Sequence, residues 1–126
     1  MITASWVKEN SLELWDIRNN KKHVSKISIF GNDQELRKKS NGEYLYACKF
    51  FSTNNVTNNR DSTILVCGSG TQSLHLIDYN QPIQKQNLNA LNCESPLYCL
   101  DSVNKSNIIA CGGMKKFFVF NSTNDI

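Results

Sequence analysis

Ile64-Leu65-Val66-Cys67-Gly68-Ser69-Gly70, leading into Ser73-Leu74-His75-Leu76-Ile77-Asp78, is echoed by Ile108-Ile109-Ala110-Cys111-Gly112-Gly113-Met114, leading into Phe117 to Asn121. In each copy a short apolar run rich in β-branched residues ends on small residues, turns, and continues as a second apolar run. That pattern reads as two antiparallel strands joined by a tight connection. The start of the chain repeats it more loosely, with Ile2-Thr3-Ala4-Ser5 leading into Leu12-Glu13-Leu14-Trp15-Asp16. Ahead of the second and third copies stand Leu45-Tyr46-Ala47-Cys48-Lys49-Phe50 and Leu97-Tyr98-Cys99-Leu100-Asp101-Ser102, which superimpose at their tyrosines. Laid over one another, the copies put Cys67 and Cys111 in equivalent places.

Working outward, Leu12 and Leu14 alternate with Glu13, and Leu74 and Leu76 with His75. The leucines are expected on one face of their strands, and Glu13 and His75 on the solvent face. The copies close at Asp16, Asp78 and Asn121, which lie 62 and 43 residues apart. The shorter spacing falls in the roughly 40–45-residue period of four-stranded blades. The excess in the longer one is assigned to two polar insertions, Gly31–Glu43 and Thr53–Asp61, read as surface loops. The one helical candidate, Asp33–Lys39, is polar all round and too short to stand alone, and is taken as part of the first loop. Strands are expected at Ile2–Ser5, Leu12–Ile17, His23–Phe30, Leu45–Phe51, Thr63–Gly68, Ser73–Tyr79, Ile83–Leu88, Leu97–Val103, Asn107–Gly112 and Phe117–Asn121.

Composition bounds the function classes. The chain has 126 residues, 40% hydrophobic and 20% charged, close to the balance of folded soluble domains. No apolar run approaches a membrane span, and Met1 to Ser5 lacks a basic start and apolar stretch, so an intracellular, cytoplasmic or nuclear location is expected. Five cysteines without a C-x-x-C pair or a histidine at ligand spacing imply reduced structural thiols. A net charge of +3 is mild, and the clusters Lys21-Lys22-His23, Arg37-Lys38-Lys39 and Lys115-Lys116 read as solvated loops or edges.

Leu14-Trp15-Asp16-Ile17-Arg18 resembles the strand ending of the WD-repeat family, and the resemblance extends over nearly the whole chain. Cys67-Gly68-Ser69-Gly70 and Cys111-Gly112-Gly113 stand where that family has its small-residue second strand, and Tyr46 and Tyr98 in its innermost strand. The later copies depart from it, with Ile77-Asp78 and Phe120-Asn121 at their ends and no Gly-His pair before an inner strand, so the family's hydrogen-bond tetrad is incomplete here. The resemblance implies an all-β fold, a partial propeller of about three four-stranded antiparallel blades at residues 1–30, 44–88 and 95–122. The first blade lacks strand a and the last lacks strand d, so the chain forms an arc, not a closed ring. Met1 directly before a strand suggests a cut start. The expected companions are the missing blades or a second copy.

The same resemblance implies a scaffold that binds other proteins or peptides. His23 and His75 are the only histidines and lie in no nucleophile or metal motif, so no enzyme, cofactor or metal site is expected. Gly68, Gly112 and Gly113 fit no phosphate-binding loop, and no helix follows them. Trp15 falls at the family's core position. Trp6, in the turn between the first two strands, is the leading partner-binding candidate, with Lys8, Gln72 and Lys115 in or beside equivalent turns, and Arg37, Lys38 and Lys39 in the first insertion. The alternative is a propeller that binds RNA through a basic rim formed by Arg37, Lys38, Lys39 and Lys115.

Overall fold

A computed structural model describes residues 1–18, 22–30, 35, 38, 41–51, 63–70, 72–80, 87–103 and 105–121. The alternating runs form ten strands: β1 (Ile2–Ala4), β2 (Leu12–Asp16), β3 (Lys22–Ile27), β4 (Leu45–Phe51), β5 (Thr63–Gly68), β6 (Ser73–Asp78), β7 (Asn87–Asn92), β8 (Leu97–Ser102), β9 (Ile108–Gly113) and β10 (Phe117–Asn121). They pair antiparallel into three sheets in chain order, β1-β2-β3, β4-β5-β6-β7 and β8-β9-β10. The second and third sheets share a local irregularity. Tyr46 bulges out of the β4–β5 ladder and Tyr98 out of the β8–β9 ladder, each one residue after the leucine that opens its strand.

The sheets stack face to face, and the second is the filling of the stack. Every residue of β5 is buried, and so are Leu74 to Ile77 of β6. Strand alternation divides them between two cores. Ile64, Val66 and Ile77 pack with Leu45 against Leu12, Ile27, Ile29 and the flanking Ile2, Ala4 and Leu14 of the first sheet. Leu65, Cys67, Leu74 and Leu76 pack on the other side against Leu97, Ile109 and Cys111 of the third sheet, with Phe118 and Phe120 at the margin. Each sheet thus has a forward face, turned toward the next sheet in the chain, and a rear face turned toward the previous one.

The faces repeat with a consistent register. On the forward faces Leu12 and Leu14 correspond to Leu74 and Leu76, and their ladder partners Ala4 and Ile27 correspond to Cys67 and Leu91. On the rear faces Leu45, Ile64, Val66 and Ile77 of the second sheet correspond to Leu97, Ile109, Cys111 and Phe120 of the third. This pairing corrects the equivalence drawn from the sequence. Cys111 is the counterpart of Val66, and Cys67 and Cys111 share one core, reaching it from opposite sheets. A one-residue slip exchanges the two faces of a strand, and similar apolar side chains on both faces hide the slip from a sequence comparison.

Four further expectations are corrected. His75 is buried because β6 is covered on both faces, so alternation there does not separate core from solvent. Trp15 belongs to neither core; it is half-buried on the rear face of the first sheet, where its Nε1 donates to Thr3 Oγ1 at 2.9 Å. The last strand of the second sheet is Asn87–Asn92, which runs four residues past the expected end at Leu88 because pairing Leu91 with Leu74 extends the forward core; residues 83–86 of the expected Ile83–Leu88 lie outside the described residues. In the first insertion Glu35 and Lys38 are exposed with helical backbone, whereas Gly42 and Glu43 are buried, so this stretch is not a surface loop throughout. The second insertion, Thr53–Asp61, lies outside the described residues.

The two-sided burial sets the energetic ranking. Leu65→Ala should cost roughly 2–5 kcal/mol, whereas Trp15→Ala in this chain should fall below the roughly 3–5 kcal/mol of a core tryptophan. Urea denaturation of both variants measures the order.

Candidate functional site

The three turns that follow β1, β5 and β9 lie at one end of the stack. The turn after β1 is hydrogen-bonded to the run into β4: Glu43 N donates to Lys8 O at 2.8 Å, Tyr44 N to Val7 O at 3.0 Å, and Leu45 N to Ser5 O at 3.2 Å. Leu45 opposes Gly68 at the end of β5, and Ser69 N in the next turn donates to Tyr44 O. The third sheet joins through the start of β8, where the Tyr98 ring meets the Tyr46 ring edge-on at 5.2 Å while Leu97 opposes Gly113.

A buried carboxyl group anchors this end. Glu43 Oε2 accepts hydrogen bonds from Ser11 N at 2.8 Å and from the Ser11 hydroxyl at 2.5 Å, and both residues are buried. A buried acceptor holding a backbone donor and a hydroxyl together fixes the chain more firmly than a solvated pair does. Gly70 allows the approach: a Cβ there would lie 1.8 Å from Gly42 O. Asn10 and Gln72, at equivalent places two residues before Leu12 and Leu74, both take left-handed backbone, with φ of 53° and 51°. These turns are therefore shaped by backbone pairing, not left to solvent.

On this rigid base stands a group of exposed aromatic side chains. Trp6 is 61% exposed, and its ring lies 4.9 Å from that of Tyr44. Tyr46, Tyr98 and Met114 are also exposed, and so are Val7, Lys8, Gln72, Lys115 and Lys116. Of the residues singled out from sequence, the structure gathers Trp6, Lys8, Gln72 and Lys115 at this end. Lys38 is exposed, and Arg37 and Lys39 lie outside the described residues. Sequence reasoning missed Tyr44, Met114 and the anchor Glu43, and took Tyr46 and Tyr98 only as inner-strand markers. Their coincidence in the repeat was the available signal.

A second link between the sheets is electrostatic. Lys49 of β4 donates to the Asp101 carboxylate and, at 3.0 Å, to Ser102 O of β8. The Lys49 ammonium, with help from Ser102 N, holds the Asp101 carboxyl below its ordinary value. All five cysteines are free thiols. Burial pushes both Cys67 and Cys111 up to about 12, which leaves these thiols protonated at neutral pH. Among the described residues, no group of three or more His, Cys, Asp or Glu side chains is placed to hold a metal ion. No protein-family model matches the chain, and neither a curated protein nor a solved structure does.

Gly70→Ala should destabilise the fold by roughly 1–3 kcal/mol or more, since backbone must move. Gly112→Ala should cost less, because its added methyl meets only the Cys99 Sγ. Thermal melts of the two variants compare them. A depressed carboxyl contributes stability above the ordinary aspartate range and loses it as pH falls through the lowered folded value. In Lys49→Met, the Asp101 carboxyl should therefore titrate at higher pH than in the parent, as read by NMR.

Proposed function

We propose that the chain is a run of WD-type propeller blades acting as an interaction scaffold, and that the turn end of the stack docks a polypeptide segment carrying apolar and acidic side chains. Three features support the blade reading: face-to-face stacking in chain order, the recurrence of the bulged tyrosine, and one register of forward and rear faces in both packed interfaces. Sheets of three, four and three strands agree with an arc whose end blades each lack a strand.

The observation that carries the docking reading is the exposed set Trp6, Tyr46, Tyr98 and Met114 at the turn end, where the Glu43–Ser11 anchor joins the first two sheets and the Tyr46–Tyr98 contact joins the third. Aromatic side chains exposed on a rigid base lose little entropy on binding, and Trp and Tyr are enriched among binding hot spots. Lys8, Lys115 and Lys116 around them supply positive charge, which favours acidic residues in the partner. Membrane insertion has no helical route among the described residues, none of whose helices is long and apolar enough to cross a bilayer.

The test places a photo-crosslinking amino acid at Trp6, and separately at Asn80 at the opposite end of β6, and compares the proteins captured in cells. Capture at position 6 that is lost in Tyr46→Ala, with no counterpart at position 80, supports the reading. Equal capture at both positions removes it. Tyr46→Ala should reduce capture about tenfold or more, as truncation of a hot spot does, with little change in melting. Titration of single-stranded RNA against salt checks the alternative, since phosphate contacts give a steep salt dependence and peptide docking does not.

A further inference from the structure

The exposed rings at the turn end form two pairs on adjoining backbone. Trp6 and Tyr44 stand 4.9 Å apart with their planes tilted by 46°, and Tyr46 and Tyr98 meet edge-on at 5.2 Å with their planes at 74°. Each pair keeps an open side, since Trp6 is 61% exposed, Tyr46 46% and Tyr98 41%. Tyr44 and Tyr46 flank the buried Leu45, so the stretches of backbone that carry the two pairs are at most roughly 7 Å apart.

The backbone beneath the rings is already paired. Glu43 N, Tyr44 N and Leu45 N donate to Lys8 O, Val7 O and Ser5 O, while Ser69 N donates to Tyr44 O and Gly113 N to Lys116 O. A segment docking as an added β-strand needs a row of free main-chain groups, and here they are engaged. An amphipathic helix needs an aliphatic trough that takes residues at i, i+3, i+4 and i+7. Among the described residues, the turns expose only Val7 and Met114 besides the rings for that purpose. What the surface does offer is ring faces with donors at their edges, the indole N–H of Trp6 and the hydroxyls of Tyr46 and Tyr98.

A polyproline II segment is the electrostatic complement of that set. It has no internal hydrogen bonds, so its carbonyls are free acceptors for edge donors, and its proline rings present weakly positive C–H groups to the negative faces of aromatic rings. It is also ordered before it binds, so docking costs little entropy. One turn spans three residues and rises about 9 Å, enough for prolines three apart to meet both ring pairs. Charge selects less: Glu9 is exposed in the first turn and Glu94 beside Cys93, whose N donates to Gln72 O, so Lys8, Lys115 and Lys116 leave only a small positive excess.

We propose that the turn end binds a proline-rich segment in the polyproline II conformation, with its proline rings on the Trp6–Tyr44 and Tyr46–Tyr98 pairs and its carbonyls accepting from Trp6 Nε1 and the tyrosine hydroxyls. This assignment rests on the turn end being a docking surface, and adds the conformation and composition of what docks there.

Three synthetic ten-residue peptides titrated into isotope-labelled chain of residues 1–126 provide the test: one with prolines three apart, the same peptide with alanine for each proline, and an amphipathic helix former of equal charge. The two tryptophan indole N–H resonances report binding by place. The proline peptide should shift the Trp6 signal and leave that of Trp15, which is bonded to Thr3, where it was. Exchanging its prolines for alanine should weaken binding about tenfold or more. Tyr46→Ala should weaken it about tenfold or more, with Tyr98→Ala as a second variant should the first fail to fold, and Asn80→Ala at the opposite end should leave it unchanged. Equal affinity for the proline and alanine peptides would overturn the assignment and leave the docking reading standing, as would binding of the helical peptide alone. A shift at Trp15 in place of Trp6 would also overturn it. So would the absence of binding by all three peptides at millimolar concentration, and capture at position 6 in cells then decides separately whether the docking reading falls with it.

Discussion

The fold depends on the desolvation of both faces of one sheet. β5 and β6 carry apolar side chains on each side, so neither strand can be stable until a neighbour covers it in front and another behind. Isolated sheets of three or four strands with one covered face are ordinary; a sheet with two apolar faces is not a unit that folds alone. Hence the first and third sheets are less independent than their separate hydrogen-bond ladders suggest. Each contributes one apolar face to the second sheet, and their own cohesion is a by-product of that packing.

Covering a sheet is non-directional, and something must fix how the neighbours lie. Two polar links do this at the inner side of the stack. The Glu43 carboxyl holds Ser11 inside the junction of the first and second sheets, and the Lys49 ammonium ties β4 to β8 between the second and third. The first is buried and therefore stringent about geometry, because either partner left alone would be a desolvated polar group. The second is exposed, and steers alignment more than it adds stability. Both lie on or beside β4, so one stretch from Gly42 to Lys49 orients all three sheets.

Much of this architecture was legible in the sequence, and the failures have a common cause. Short alternating runs located the strands, with the ends of β4, β5 and β10 as expected from the residues alone. What alternation could not show was which face was which once both were apolar. His75 looked solvent-facing because its neighbours were leucines, and Cys67 looked equivalent to Cys111 because small residues follow both. The end of β7 was set too early because Ile83 and Leu88 outweighed the asparagines of Asn87–Asn92, whereas the ladder selects Leu91 for the place opposite Leu74. The candidate site was half legible: Trp6 stood out as an aromatic in a turn, but Tyr46 and Tyr98 meet only because two bulges at the same place in successive sheets turn them toward each other.

That pair of bulges connects the stacking to the surface it supports. A bulge inserts a residue that the ladder does not need and re-aims its side chain, at the cost of local pairing. Leu45 and Leu97 immediately before the bulges are fully buried, while the bulged residues themselves, Tyr46 and Tyr98, are exposed. The leucine locks each inner strand into the core, and the extra residue that follows is free to face outward. Stacking then brings the two outward tyrosines to within 5.2 Å, and the buried Glu43 sets Tyr44 under Trp6 by the same chain segment. An aromatic surface assembled in this way requires no loop of its own. It follows from repeating one strand design at the spacing that packed sheets impose, so a change that alters the register of β4 or β8 would dismantle the surface before it unfolded the stack.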